Sequence, residues 1–183
     1  MAEELGGPVE LSSALESLAN VYGAKGHLRE RVEVCLRRLA LSYEPRFNDL
    51  KEMANILLQT GMAVYDVGDY IQALGYLSQA ENLGFQIRDI PVQADALVRQ
   101  AGCLFRLDRW DELLEIDSKI RQLEADFTVE RMGVLTCFYY ALQSHVRYLR
   151  GEIHLAQALK SKAYEVMVSI TGPPEKWVRN QHF

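Results

Sequence analysis

The sequence contains few of the residue patterns that mark catalytic or metal-binding sites. No Gly-rich phosphate-binding loop, HExxH, CxxC or GxSxG motif is present among its 183 residues. His145 and His154 have no cysteine or acidic residue at ligand spacing. The carboxylate pair Asp111 and Glu115 stands beside Arg109, which is typical of a solvated charged face. We therefore expect a protein that is not an enzyme and uses no cofactor and no metal.

Cysteine is also scarce, with only 3 in the chain. Cys35, Cys103 and Cys137 are far apart in the sequence, and each lies in an apolar helical run. Buried free thiols in a reducing compartment are therefore favoured over disulfides or metal ligands.

An excess of positive charge and long apolar runs are lacking as well. The formal net charge of -5 and the pI near 5.4 disfavour a nucleic-acid-binding surface. The acidic N-terminal residues do not resemble a secretory signal. No run approaches the roughly 18 consecutive apolar residues that a membrane helix needs. We therefore expect a cytoplasmic protein whose partner is neither a nucleic acid nor a membrane.

Amphipathic helices dominate what the sequence does contain. The clearest example is the stretch 53–84, which breaks at Gly68. Apolar and small residues recur at helical spacing on both sides of this break: Leu57, Gly61 and Val64, then Tyr70, Ala73, Leu77 and Ala80. Gly61 and Ala73 are small enough for the two helices to approach closely, and Gly84 is expected to end the second helix in a left-handed conformation. We interpret 53–84 as one helical hairpin.

The same pattern recurs along the chain and predicts an all-α fold. Breaks fall at Gly26, Gly68, Asp108 and Gly151, at intervals of 42, 40 and 43 residues. A regular interval of this size indicates stacked repeats. Glycine accepts the positive φ that a tight turn requires, and aspartate is among the few other residues that tolerate it.

Proline and capping residues predict where several of the helices begin and end. Pro45 and Pro91 suit the first turn of the third and fifth helices, where a missing N–H costs nothing. The segment Asp126-Phe127-Thr128 is expected to cap the seventh helix, and Thr171-Gly172-Pro173-Pro174 to end the eighth. We expect a flexible lead-in over 1–10, a helical repeat domain over 11–170, and a C-terminal tail or the start of a further element over 171–183.

The second hairpin resembles the tetratricopeptide repeat. The residues that carry the resemblance are Leu57, Gly61, Tyr65, Gly68-Asp69-Tyr70, Ala73, Leu77 and Ala80. The third and fourth hairpins match more loosely, and the first has Arg31 where the family has a small residue. The long interval resembles a variant found in repeat regions of large multidomain regulators and in kinesin light chains. The resemblance implies a right-handed superhelix of about four antiparallel helical hairpins.

The resemblance also implies that the first helix of each hairpin lines a concave groove that binds a protein or peptide. Leu57, Gly61 and Val64 face the partner helix, so other faces of the first helices are expected to form the groove. The predicted groove residues are Asn20, Asn55, Leu58, Met62, Tyr65, Arg99, Phe105, Arg106, His145 and Tyr148. For Tyr65, Phe105 and Tyr148, packing between repeats is an equally good interpretation. Glu16 and Asp95 stand where carboxylate-clamp receptors have lysines, which argues against a carboxylate clamp.

Two functions stay open at this point. The first is a non-catalytic interaction module that binds a peptide or a partner domain in the groove. The second is a regulatory or self-association segment, such as a homodimerisation region, of a larger signalling or transcription-regulating protein. The lack of a polar capping helix after residue 170 is compatible with a longer protein.

Overall fold

The computed structural model describes residues 7–124 and 129–172. Within these residues the chain is all-α and has no strand, as predicted. Its eight helices are α1 (Pro8–Ala24), α2 (Leu28–Ser42), α3 (Leu50–Asp66), α4 (Tyr70–Ile87), α5 (Ile90–Arg106), α6 (Trp110–Glu124), α7 (Val129–Leu149) and α8 (Ile153–Thr171). Contacts pair α1 with α2, α3 with α4 and α7 with α8 as helical hairpins. Internal contacts divide the chain into two compact units, unit 1 (Met1–Cys103) and unit 2 (Leu104–Phe183).

The four predicted turn residues all adopt the left-handed backbone conformation. Their φ angles are 74° at Gly26, 90° at Gly68, 56° at Asp108 and 78° at Gly151. In each turn the amide of the next residue donates to a carbonyl five residues earlier, for example from Asp69 to Val64. This is a Schellman motif, in which the end of one helix is capped while the chain reverses. The predicted breaks are therefore confirmed.

Close approach in the second hairpin depends on Gly61. A Cβ atom built at this position would lie 2.7 Å from Leu77 Cγ and 3.4 Å from the Ala73 carbonyl oxygen. Leu77 and Ala73 are fully buried in the core of unit 1. The predicted contact between small residues on α3 and α4 is thus confirmed.

Two predicted helix boundaries are wrong. Pro45 lies in the turn between α2 and α3, because the third helix begins at Leu50, where the Asp49 side chain accepts a hydrogen bond from the Glu52 amide. Gly84 lies inside α4, and Arg88, with φ 57°, adopts the left-handed conformation at the end of that helix. Gly84 is instead needed for close packing, because a Cβ atom at this position would lie 3.1 Å from Gln93 Cγ.

The remaining helix boundaries agree with the prediction at Pro91 and Gly172 and differ from it at Pro8. Pro91 is the second residue of α5, as predicted, and α8 ends at Thr171 with Gly172 as its C-cap. Helix α1 begins at Pro8, three residues earlier than expected, since proline is favoured in the first helical turn. The predicted cap at Asp126-Phe127-Thr128 lies outside the described residues, as do 1–6 and 173–183.

A recurrent surface, here called the stacking face, packs the first helix of one hairpin against the preceding hairpin. It comprises the positions 12, 8 and 5 residues before the turn residue. In unit 1, Thr60 Oγ1 donates to the Cys35 carbonyl and Gln100 Nε2 donates to the Leu77 carbonyl. In three hairpins the stacking face is fully buried: Ile56, Thr60 and Ala63 on α3; Ala96, Gln100 and Cys103 on α5; Tyr139, Gln143 and Val146 on α7.

Unit 1 contains a buried ionic network around Arg38, which the sequence did not lead us to expect. Arg38 on α2 is 1% exposed, and its guanidinium is bound by residues of two other helices, α1 and α3. It donates to Ser12 Oγ at 2.9 Å, Gln59 Oε1 at 2.6 Å, Glu16 Oε2 at 3.0 Å and Glu52 Oε1 at 2.6 Å.

The position of Arg38 in the repeat explains why such a network is needed. Arg38 precedes Ala80 by 42 residues, the same interval that separates Gly26 from Gly68. The second hairpin therefore has a small residue where the first has a long cation. Because a buried charge is costly unless it is paired, the carboxylates of Glu16 and Glu52 make this substitution compatible with packing of α3 on the first hairpin.

Replacing the two glycines of the second hairpin should change stability in opposite directions. Gly61→Ala should lower the free energy of unfolding by about 1–3 kcal/mol, because the new methyl overlaps the buried Leu77 side chain. Gly75→Ala should raise it by about 0.5–1 kcal/mol, because a Cβ there meets nothing within 4 Å and alanine favours the helix. Urea unfolding followed by circular dichroism measures both. Equal effects of the two variants would contradict the close approach.

Removal of the buried guanidinium should be strongly destabilising. Arg38→Ala leaves Glu16 and Glu52 without their cation, so we expect a loss of about 3–5 kcal/mol in the free energy of unfolding. Arg46→Ala, at an exposed arginine in the turn after α2, should change it by less than about 0.5 kcal/mol. Similar losses for the two variants in urea unfolding would show that the network is energetically unimportant.

Candidate functional site

The predicted groove residues of α3 contribute mainly to the core. Leu58 is only 8% exposed and belongs to the core of unit 1, so its assignment to the binding surface is wrong. Met62 and Tyr65 are half-buried against the same core, and the Tyr65 ring meets the Tyr70 ring edge-on at 5.2 Å. Asn55 is also half-buried. The predicted groove residues of α3 are thus partly or fully buried by packing within unit 1.

The polar groove candidates of unit 1 differ in how far their side chains are engaged. Asn20 on α1 is exposed. Arg99 is half-buried and donates to Asp95 one turn earlier on α5, with 2.6 Å between Nε and Oδ1. Glu16 accepts from Arg38 and from Gln59, with distances of 3.0 Å and 2.7 Å.

Unit 2 contains four of the predicted groove residues: Phe105, Arg106, His145 and Tyr148. Phe105, at the end of α5, meets the ring of His145 edge-on at 5.4 Å. Tyr148 lies one turn further along α7 and is 61% exposed. Arg106 is exposed beside Phe105. On α7 the exposed residues Phe138, Ala141, His145 and Tyr148 recur at steps of three and four, so they form one continuous stripe.

A cleft with a volume of about 390 Å³ opens beside this stripe, between α7 and α8. We call it the α7–α8 cleft. It is lined by Ala141, Ser144, His145, Tyr148, Ile153, Ala156, Gln157, Lys160 and Ala163. Ser144 Oγ donates to the Ala156 carbonyl at 2.8 Å and so joins the two helices at its floor. The cleft is therefore built on one hairpin of unit 2.

The repeat explains why this cleft exists. Ala156 and Ala163 follow Ala73 and Ala80 by 83 residues, which is also the interval between Gly68 and Gly151. In the α3–α4 hairpin the corresponding groove is filled by α5, whose Ala96 and Cys103 pack in the same core. On α8 the small residues border an open cleft instead.

The α8 side of the cleft was missed by the sequence analysis. Ile153, Gln157 and Lys160 lie on the second helix of a hairpin, and only first helices were considered as binding elements. Lys160 brings a positive charge to the cleft at the position where the second hairpin has Leu77. The signal available in the sequence was a lysine at a repeat position that is apolar in the second hairpin.

Burial accounts for the largest pKa shifts among the described residues. Burial raises the pKa of the Cys103 thiol to about 12 and also raises the pKa of Cys35. The pKa of Tyr139 is raised by burial and by its hydrogen bond to Asp117. All three cysteines are free, as expected; Cys35 and Cys103 are buried, whereas Cys137 is half-buried. Residues 7–124 and 129–172 contain no cluster of His, Cys, Asp or Glu suited to a metal ion.

Within the described part of the chain, no helix is both long enough and apolar enough to cross a membrane.

Comparison with known proteins provides evidence about the fold of the chain. No protein-family model matches the sequence, and no curated protein matches it. The chain is similar to the crystal structure of BtubC (BKLC) from P. vanneervenii, with a TM-score of 0.78 and 16% sequence identity. The match covers 91% of this chain and 67% of that chain. At this identity the similarity concerns the fold alone, and it supports a helical repeat.

The raised pKa of Cys103 should make stability fall in alkali. Below the ordinary thiol pKa both folded and unfolded chains hold the proton, whereas above about pH 9 the unfolded chain releases it first. This group alone should cost up to about 1.4 kcal/mol for each pH unit between 9 and 12. Urea unfolding over this range should give a steeper decline for the native sequence than for Cys103→Ala. Parallel declines would contradict the assignment.

Proposed function

We propose that the chain is a tetratricopeptide-like interaction module without catalytic activity, which binds an amphipathic helix of a protein partner in the α7–α8 cleft. This proposal rests on a difference between the α3–α4 hairpin and the α7–α8 hairpin. The α3–α4 groove holds α5, and the α7–α8 cleft repeats the small residues of that groove while it is open. A groove shaped for a helix, with its apolar walls exposed, favours a helical ligand.

The chemistry of the cleft suits protein recognition. Tyr148 offers a large exposed ring, Ile153 an apolar wall, and Lys160 a cation that can select an acidic residue on the ligand. Aromatic residues with a polar end commonly supply most of the binding energy at such sites. The edge-on contact between Phe105 and His145 supports the wall of the cleft from behind.

The proposed binding surface includes fewer helices than the concave groove that the sequence predicts. His145 and Tyr148 on α7 belong to both, whereas Leu58, Met62 and Tyr65 on α3 pack in or against the core of unit 1.

Self-association as part of a regulatory protein is the second candidate function. It is favoured by the exposed apolar residues Leu18 and Val21 on α1.

Loss of the exposed Tyr148 ring should weaken capture of the partner. The bound proteins are identified by quantitative mass spectrometry after affinity purification from an extract of the source cell. Tyr148→Ala should reduce the yield of the specific partner by about tenfold or more, as expected for an aromatic anchor.

The matched control is Tyr43→Ala, which removes an equally accessible tyrosine, 59% exposed, at the end of α2. This variant should capture the partner as the native sequence does. Undiminished capture by Tyr148→Ala would contradict binding in the cleft, provided that circular dichroism shows both variants to be folded.

A further inference from the structure

The outer side of α4 in unit 1 is apolar at both ends and uncharged between them. Ile71, Gly75, Ser78, Asn82 and Phe85 recur at steps of four and three, so they lie on one side of this helix. Ile71 and Phe85 are each 72% exposed, Gly75 and Asn82 are exposed, and Ser78 is half-buried. We call these five residues the α4 face. Described helices precede and follow α4, and the α4 face is exposed beside them.

Gly75, within the α4 face, has no packing role inside the chain. A Cβ atom built there would meet nothing within 4 Å, whereas at Gly61 it would lie 2.7 Å from Leu77 and at Gly84 3.1 Å from Gln93. Glycine within a helix is less stable than alanine, and its missing side chain lets another backbone approach closely. Gly75 therefore suits the approach of a second helix from outside.

The exposed residues beside the α4 face are uncharged as well. Gln72, Gln79 and Gln86 are all exposed and follow one another at intervals of seven residues. Gln79 Nε2 donates to the Gly75 carbonyl at 3.3 Å, and its amide oxygen can accept. The charged residue within α4 is Glu81, which is half-buried on the flank of the helix. Because an amide both donates and accepts, two identical surfaces of this kind can meet without repulsion.

Opposite charges stand at the two ends of α4. The exposed N-cap Asp69 precedes the helix and the exposed Arg88 follows it. The carboxylates of Asp66 and Asp89 near these ends are each paired with a cation. Two antiparallel copies of α4 therefore place the acidic end of one beside the basic end of the other, whereas two parallel copies place like charges together.

We propose that the α4 faces of two copies of this chain meet antiparallel across a two-fold axis near Ser78. Reversal of the α4 face exchanges Ile71 with Phe85 and Gly75 with Asn82, so the large apolar side chains of the two copies meet at both ends of the contact. A two-fold contact uses the same surface on both copies and stops at a dimer. This contact is one helix wide, so we expect a weak dimer that forms between micromolar and millimolar concentration.

Sedimentation velocity of the full chain over this range of concentration tests the proposal. The native chain should change from monomer to dimer and grow no further. The double variant Ile71→Arg/Phe85→Arg brings cations of the two copies together, so it should remain monomeric throughout. Both side chains are exposed, so this variant should fold, which thermal unfolding by circular dichroism verifies.

Val134→Arg is the matched control for added charge. Val134 on α7 is 72% exposed, as Ile71 is, and it lies outside the α4 face. This variant should dimerise as the native chain does. A loss of the dimer equal to that of the double variant would show that added charge, and not the α4 face, is responsible, and would overturn the inference.

Gly75→Ala tests the close approach of the two helices. The added methyl should raise the dissociation constant of the dimer by about tenfold or more, because it lies where the backbones meet. The same variant should stabilise the monomer, as stated above, so weaker dimerisation cannot be ascribed to partial unfolding. Unchanged dimerisation would contradict a contact centred on this part of α4.

Cysteine cross-linking tests the antiparallel orientation. Ser78→Cys lies near the two-fold axis, so mild oxidation should give a covalent dimer on a non-reducing gel. In Ile71→Cys the two new thiols would lie roughly 22 Å apart along the helix axes, so no cross-link should form. The native chain is the background for both variants. A cross-link through Ile71→Cys would indicate a parallel contact and overturn the inference.

The remaining outcomes separate this inference from the other surfaces of the chain. A native chain that is monomeric at all concentrations overturns it, as does a dimer that survives Ile71→Arg/Phe85→Arg. A dimer that is lost in Leu18→Arg but kept in the double variant would assign self-association to α1 and also overturn it. Capture of a partner through Tyr148 does not depend on α4, so the double variant should leave that capture unchanged.

Discussion

Burial of the stacking face is the interaction on which the rest of the structure depends. In unit 1 the first helix of one hairpin packs into the groove between the helices of the preceding hairpin. Thr60 and Gln100 show how the contact is specified, since each donates to a backbone carbonyl of the preceding hairpin. The small residues Gly61, Ala73 and Ala80 keep the groove narrow and smooth. The repeat interval follows from this one contact, because the helices must return in register each time.

The Arg38 network shows that packing between hairpins can accommodate a buried charge when that charge is paired. A long cation at the position of Ala80 would separate α3 from the first hairpin if it stayed unpaired. Glu16 and Glu52, on helices to either side, bind the guanidinium and allow the surface to close. This arrangement replaces apolar packing by a set of directed hydrogen bonds, which specifies how α1, α2 and α3 fit together.

The same contact links the architecture to the proposed function. A groove that accepts a helix inside the molecule can also accept a helix of a partner, and the α7–α8 cleft repeats the small residues of such a groove. In the proposed complex, apolar burial supplies affinity and the charge of Lys160 orients the ligand.

The sequence by itself determined the helical repeat, the turns and the free thiols, because these depend on local chemistry and on spacing along the chain. Gly68 and Asp108 could be assigned a positive φ because few other residues tolerate it. Only the tertiary structure decided which residues are available for binding. Leu58 and Tyr148 stand on similar faces of their helices, yet one is buried and the other exposed. Exposure depends on what packs against each hairpin, and this long-range property is not encoded in the periodicity of one helix.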